Sequence, residues 1–125
     1  SGAKVGPGRG VKTFEEALAP CPLLTRIGNA FDCLIIDCIT LLVSNLILRK
    51  KNQAAIIKSI KTTLAVIKKK EATTIIVSNE VGLGIVPDNA LGRKFRDIAG
   101  KINLIIAHDA DEVFFTVAGL PWKIK

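Results

Sequence analysis

The sequence predicts an α/β fold, a mainly parallel sheet flanked by helices, and three observations carry that reading. Apolar runs of strand length alternate with segments of helical period. Those runs are continuous rather than polar-apolar alternating, as in strands covered on both faces. One of them, Thr74-Ile75-Ile76-Val77, ends in the polar pair Asn79-Glu80 and a loop with Gly82 and Gly84 that leads to a helix. In open α/β sheets ligands bind beyond the carboxyl ends of the strands, so this loop is read as ligand-facing, with Asn79, Glu80 and Gly82 its candidate residues.

The first strand is Phe31 to Asp37, a short apolar run closed by a carboxylate. Cys38 to Leu48 has the length and apolar content of a helix that begins a crossover, and Arg49-Lys50-Lys51 breaks it. Ile56, Ile60, Leu64 and Ile67 then recur at helical spacing, with Lys58, Lys61, Lys68, Lys69 and Lys70 mostly on the other faces, which makes an amphipathic helix on a sheet. Thr73 to Ser78 is the second strand. Pro87 fixes the exit of the glycine loop, Asp88 or Asn89 can cap the next helix, and Leu91, Phe95, Ile98, Ile102 and Ile105 form its stripe. Glu112 to Val117 is a third strand, and the tail with Gly119, Pro121 and Trp122 can add an edge strand. Right-handed crossovers would then bring Asp37 and Asn79-Glu80 to one rim.

At 125 residues the chain is expected to form one domain, 13–125. Residues 1–12 are glycine-rich, basic and aperiodic, and read as a flexible arm. Their Ser-Gly-Ala start resembles a tag remnant, so a native beginning further upstream is expected. Gly6-Pro7-Gly8-Arg9-Gly10-Val11-Lys12-Thr13 imitates a phosphate-cradling loop, but Val11 stands where a glycine is needed and no buried strand feeds it. Cys21, Cys33 and Cys38 are odd in number and lack zinc spacing, which fits a reduced, cytoplasmic setting. Leu34 to Leu48 is too short for a bilayer span and contains Asp37. The net charge of +7 favours anionic partners. The lysine clusters lack interleaved aromatics, however, so no nucleic-acid partner is expected and a solvated helix face is the plainer account.

Asp37 sits where phosphate-transferring enzymes place the carboxylate serving Mg²⁺, and equally where a strand-end acid caps the next helix. Glu80 either contacts a ligand or pairs with Arg93 or Arg96. His108, the only histidine, is read as interacting with a helix end or a neighbouring carboxylate.

Several strings together resemble a known family. They are Asp32-Cys33-Leu34-Ile35-Ile36-Asp37-Cys38-Ile39-Thr40 with Val43-Ser44-Asn45-Leu46, the loop from Asn79 to Asn89, Phe95-Arg96-Asp97-Ile98-Ala99-Gly100 with Asn103, and Ala110-Asp111-Glu112-Val113. In that order they are similar to the carboxyl-terminal two-thirds of the bifunctional adenosylcobinamide kinase and adenosylcobinamide-phosphate guanylyltransferases. The resemblance implies a cobalamin-pathway enzyme that phosphorylates adenosylcobinamide with GTP or ATP and then transfers GMP from GTP through a guanylylated histidine. It implies Mg²⁺ with the nucleotide, a RecA-like P-loop architecture, and a homo-oligomer, often a trimer. It makes Asp37 the nucleotide and metal carboxylate. Through Lys12-Thr13-Phe14-Glu15, similar to the family's Trp-Arg/Lys-Thr-x-Glu, it makes Glu15 a guanine-nucleotide contact, with Val11 in place of the tryptophan.

The family's first strand with its P-loop and its nucleophilic histidine have no match in this sequence, and Leu104 replaces a glutamine. Phosphoryl transfer depends on such positioning and charge stabilisation, so this chain alone is expected to be inactive. The P-loop strand is also expected to lie between strands like those present, leaving them without a neighbour. The rival expectation is a non-enzymatic scaffold of the same fold that binds a nucleotide or a partner.

Overall fold

The computed structural model describes residues 3–5 and 10–125. At its centre two strands, β3 (Cys33–Asp37) and β4 (Thr73–Val77), pair in parallel with Cys33 opposite Thr73 and Asp37 opposite Val77. They pair directly, so the expected gap between the two apolar strands is not there. Two helices make the crossover between them, α2 (Ile39–Leu48) and α3 (Gln53–Ile67), and α4 (Ala90–Asp109) follows β4. The turn between α2 and α3 is a Schellman motif: Lys51 N–H donates to Leu46 O (3.1 Å) and Lys50 N–H to Ile47 O (2.8 Å), with Lys50 at φ 58°. Asn52 then caps α3 by accepting from Ala55 N–H at 2.8 Å.

The core is the seam where these helices meet the sheet. Ile39, Leu42, Val43, Leu46 and Ile47 of α2, Ile56, Ile60 and Leu64 of α3, and Ile98 and Ile102 of α4 form one buried cluster, with Ile36, Ile76 and Phe95 packed against it. The helical stripes expected on α3 and α4 are present, except that Leu91 is exposed.

The sheet departs from expectation in two ways. Burial alternates along both strands, so that Leu34, Ile36, Thr74 and Ile76 face the helices while Ile35 is 67% and Ile75 48% exposed. The helices therefore cover one face, because the pleat sends alternate side chains of an unbroken apolar run to opposite sides. The segment expected as a third parallel strand instead forms an antiparallel hairpin of its own, β5 (Phe114–Val117) with β6 (Leu120–Lys123). Ala118 and Gly119 both have positive φ, as in the tight turns whose twist suits a two-residue hairpin. Trp122 lies opposite Phe115 in this hairpin and is exposed. The only parallel pair among the described residues is β3–β4.

A second hairpin, β1 (Ala3–Val5) with β2 (Lys12–Phe14), lies across the expected boundary at residues 12 and 13. Gly6 to Arg9, the start of the loop-like imitation, fall outside the described residues. One helix had no sequence expectation, α1 (Pro20–Ile27), with proline in its first turn. Glu16 covers its entry, accepting from Leu18 N–H and Ala19 N–H at 3.0 Å each, and these bonds lower the Glu16 pKa. Leu24 buries the helix in its contact with α3.

Charged side chains tie the ends. Lys125 Nζ donates to Ala107 O (2.9 Å), His108 O (3.0 Å) and Ala110 O (2.6 Å), satisfying carbonyls at the end of α4. Lys68, at the end of α3, pairs with Asp109 at 2.9 Å.

Hydrogen bonding from Lys68, and then from His108, holds the Asp109 carboxyl below the usual aspartate range. A depressed folded-state pKa contributes stability above the unfolded value, about 3.9, that is lost as pH falls through the folded one. Asp109→Asn should therefore lower the urea midpoint slightly at pH 7 and not at about pH 2; an equal loss at both would contradict the pairing. The open sheet face predicts weak self-association. In sedimentation velocity the wild-type coefficient should rise with concentration, and Ile35→Lys should flatten that rise.

Candidate functional site at the carboxyl rim

The parallel register decides what meets at the rim. Because Asp37 lies opposite Val77, the chain leaves both strands side by side, entering α2 through Cys38 and the glycine loop through Ser78. Asp37 is exposed and makes no ion pair among the described residues; the peptide to Cys38 is cis. The N-cap of α2 is Cys38, with no side-chain cap, so the alternative role of Asp37 as a helix cap is not seen.

Behind the exposed carboxylate lies a polar network. The buried Thr40 hydroxyl accepts the Asn79 N–H at 3.4 Å and lies 3.3 Å from Cys38 Sγ. From α4, Asn103 Oδ1 accepts the Ser78 hydroxyl at 2.6 Å and Asn103 Nδ2 donates to Asn79 O at 3.1 Å. Asn79 and Glu80 thus share the rim with Asp37, as the crossover argument requires. Sequence reasoning assigned no role to Thr40, Ser78 or Asn103 individually. The signal for Asn103 was its place in the family-resembling string and an amide next to the buried stripe residue Ile102.

Glu80 turns back on its own loop, with Oε1 accepting Gly82 N–H at 2.9 Å. The alternative pairing with Arg93 or Arg96 does not form. Arg93 reaches back to Pro87 O (3.0 Å) and Asp88 O (2.9 Å), and Arg96 pairs with the adjacent Asp97 at 2.8 Å. Of the two possible caps of α4 it is Asn89 that serves, accepting Gly92 N–H at 2.7 Å. The loop tip presents Leu83, Ile85 and Val86 to solvent.

Glu15 is not brought to this rim. It follows β2, where the Phe14 ring stands edge-on to Phe31 at 6.1 Å, and Ala17 O accepts Asn45 Nδ2 at 3.1 Å. Phe31 precedes the amino end of β3, and a five-residue strand is about 13 Å long, so Glu15 and Asp37 lie toward opposite ends. His108 is exposed, with Nδ1 3.2 Å from Asp109 Oδ1, as expected of a histidine beside a carboxylate. No group of three His, Cys, Asp or Glu side chains suited to a metal occurs among the described residues. No helix among them is long and apolar enough to cross a membrane.

A strand-end carboxylate can hold a cation, and a helix amino terminus beside it favours an anion; comparison with known proteins gives that geometry a context. The family model described as cobinamide kinase / cobinamide phosphate guanyltransferase matches residues 8–124. The chain belongs to this family. It is similar to the bifunctional adenosylcobalamin biosynthesis protein CobU of Salmonella typhimurium, at 41% identity over 75% of this chain and 59% of that protein. It is also similar to CobP of Pseudomonas aeruginosa, at 39% identity over 91% of this chain and 65% of the relative. CobU of Escherichia coli is 35% identical over 78% and 60%, respectively. The chain thus spans about three fifths of the length of these relatives.

In this member of the cobinamide kinase family the loop's exit depends on the missing side chain of Gly92. A Cβ there would stand 2.7 Å from Pro87 Cβ and 3.1 Å from Asn89 Oδ1. Alanine usually favours a helix over glycine by about 1 kcal/mol. Here the proline ring cannot yield as a flexible side chain would, so Gly92→Ala should destabilise. A urea midpoint raised by the substitution would contradict this packing.

Proposed function

We propose that this chain supplies the acidic carboxyl rim of the nucleotide site of a cobinamide kinase and guanylyltransferase. The carrying observation is the register that sets exposed Asp37 and the Asn79-Glu80 turn together at the start of α2. In this reading Asp37 serves the Mg²⁺ that accompanies GTP or ATP. The donor chemistry fits, because Mg²⁺ is commonly held by one or two carboxylates with the remaining positions left to phosphate and water. Bound Mg²⁺ neutralises charge on the phosphates. The protein's own part is to hold the Asp37 carboxylate at the strand end and the loop backbone beside it.

The phosphoryl acceptor is adenosylcobinamide and the GMP acceptor is adenosylcobinamide phosphate, and a RecA-like P-loop frame completed by further polypeptide is the architecture in which the rim works. Glu15, distant from Asp37 along β3, is assigned to a guanine contact on family resemblance, and such a contact is reached within a homo-oligomer, a trimer in this reading. Residues 13–125 act as one domain, in the cytoplasm. By itself the chain lacks a phosphate cradle among its described residues and is proposed to be inactive in phosphoryl transfer.

The test is NMR of the chain with GTP and Mn²⁺ in place of Mg²⁺, beside an assay of GTP turnover. Paramagnetic broadening is expected at the amides of Asp37 to Thr40 and Ser78 to Glu80, diminished in Asp37→Ala, with no turnover. Broadening at the rim that survives Asp37→Ala would refute the metal assignment, and turnover by the chain would refute its inactivity.

A further inference from the structure

We infer that Asn103 is a positioning residue that fixes the Asn79-Glu80 turn at the nucleotide rim. The inference rests on the nucleotide reading above for its functional meaning but on separate geometry for its mechanism.

Ser78 and Asn79 are the first residues past the end of β4, where the strand ladder no longer supplies partners for the backbone. Two helices supply them instead. Thr40 of α2 takes the Asn79 N–H at 3.4 Å, and Asn103 of α4 takes the Asn79 carbonyl at 3.1 Å while accepting the Ser78 hydroxyl at 2.6 Å. One carboxamide thus uses its acceptor and its donor on consecutive residues of the departing chain. Asparagine is a mediocre helix former, so the interior of α4 gains nothing locally from it. Its two bonds are to residues 25 and 24 positions earlier.

The other end of the same loop is tied to the same helix. Asn89 caps α4 through Gly92 N–H, and Arg93 holds the carbonyls of Pro87 and Asp88. From Asn89 to Asn103 is about 21 Å along a helix axis. The nine residues between Asn79 and Asn89 let the chain reach at most about 35 Å from one to the other when fully extended. The chain is therefore long enough to run beside α4, and that helix is bonded to it at both ends as a splint. Removing the Asn103 bonds leaves the end that carries Asn79 and Glu80 to the single long bond from Thr40, and leaves the Asn89 end in place. Asn103 touches no nucleotide in this scheme; it acts through Asn79.

The experiment compares wild type, Asn103→Ala and Asn103→Asp by amide hydrogen exchange, and by rim broadening with GTP and Mn²⁺. Aspartate keeps the volume and the acceptor for Ser78 but replaces the donor to Asn79 O with a second acceptor. By loosening the turn, Asn103→Asp, which loses one hydrogen bond, should raise exchange at the Asn79 amide about tenfold, and Asn103→Ala, which loses both, at least as much, while exchange at Ile98 and Ile102 stays at the wild-type rate. Both should also weaken broadening at Asn79 and Glu80 more than at Asp37. Wild-type exchange at Asn79 in both variants, or a uniform rise that includes Ile98 and Ile102, overturns the positioning role even if rim broadening is intact. Absence of rim broadening in the wild type overturns the nucleotide reading, whereas the exchange pattern still decides whether Asn103 holds the turn.

Discussion

The direct parallel pairing of β3 with β4 is the constraint from which the site follows. A parallel pair requires a crossover, and this chain makes it with two helices in place of the single helix of the simplest unit. For both to pack on the sheet the chain must reverse between α2 and α3, and it does so through Lys50 in a left-handed conformation that glycine would adopt without penalty. A non-glycine residue there costs on the order of 1–2 kcal/mol. Burial of Ile56 and Ile60 immediately beyond the turn offsets it, each such side chain contributing roughly 1.5–3 kcal/mol. Once the crossover closes, Asp37 and Val77 are opposite each other and two chain exits are side by side. The rim is thus a consequence of the core.

Legibility in the sequence followed the physics of each element. α3 and most of α4 were readable because Ile56, Ile60, Leu64, Ile98 and Ile102 keep one helical face, and Asn89 marks a start with an ordinary capping residue. The β3–β4 pair was readable in its strands and direction but not in its cover. An unbroken run such as Leu34-Ile35-Ile36 states that both faces are apolar, not that both are occupied, and Ile35 is exposed. The hairpin of β5 and β6 was missed for a related reason: Ala118-Gly119 lacks the Asn-Gly or Asp-Gly signal of a tight turn, so Leu120 to Lys123 read only as a possible edge. α1 begins in a Pro-Cys-Pro string, and its entry is covered from outside by Glu16. At the site, Asp37 and the loop were visible at strand ends. Asn103 was visible only as part of a string, because its bonds span more than twenty residues.

The positive charge also has a more local meaning than a basic composition suggests. Lys125 satisfies three carbonyls at the end of α4, Lys70 donates to Gly28 O at 2.5 Å across the gap from α3 to α1, and Lys68 joins α3 to Asp109. These ammonium groups are engaged where helices end and carbonyls lack partners. Part of the excess of lysine is therefore spent on closing the helical layer, which weakens total charge as an argument for a polyanionic partner.

The rim itself divides into two mechanical parts. Asp37, Cys38 and Thr40 stand on a strand end and the first turn of a packed helix, where buried Thr40 and Val43 leave little freedom. Asn79 and Glu80 stand on a loop whose course is set by side chains rather than by a sheet ladder. Electrostatic stabilisation of phosphate chemistry requires groups that are oriented before the ligand arrives. The strand end meets that requirement through its backbone. The loop meets it through side chains at its two ends, Thr40 of α2 and Asn103 of α4 at the departing strand and Asn89 and Arg93 of the α4 entry at the other. The order of the site thus depends on how the two helices hold a segment that no strand ladder pairs.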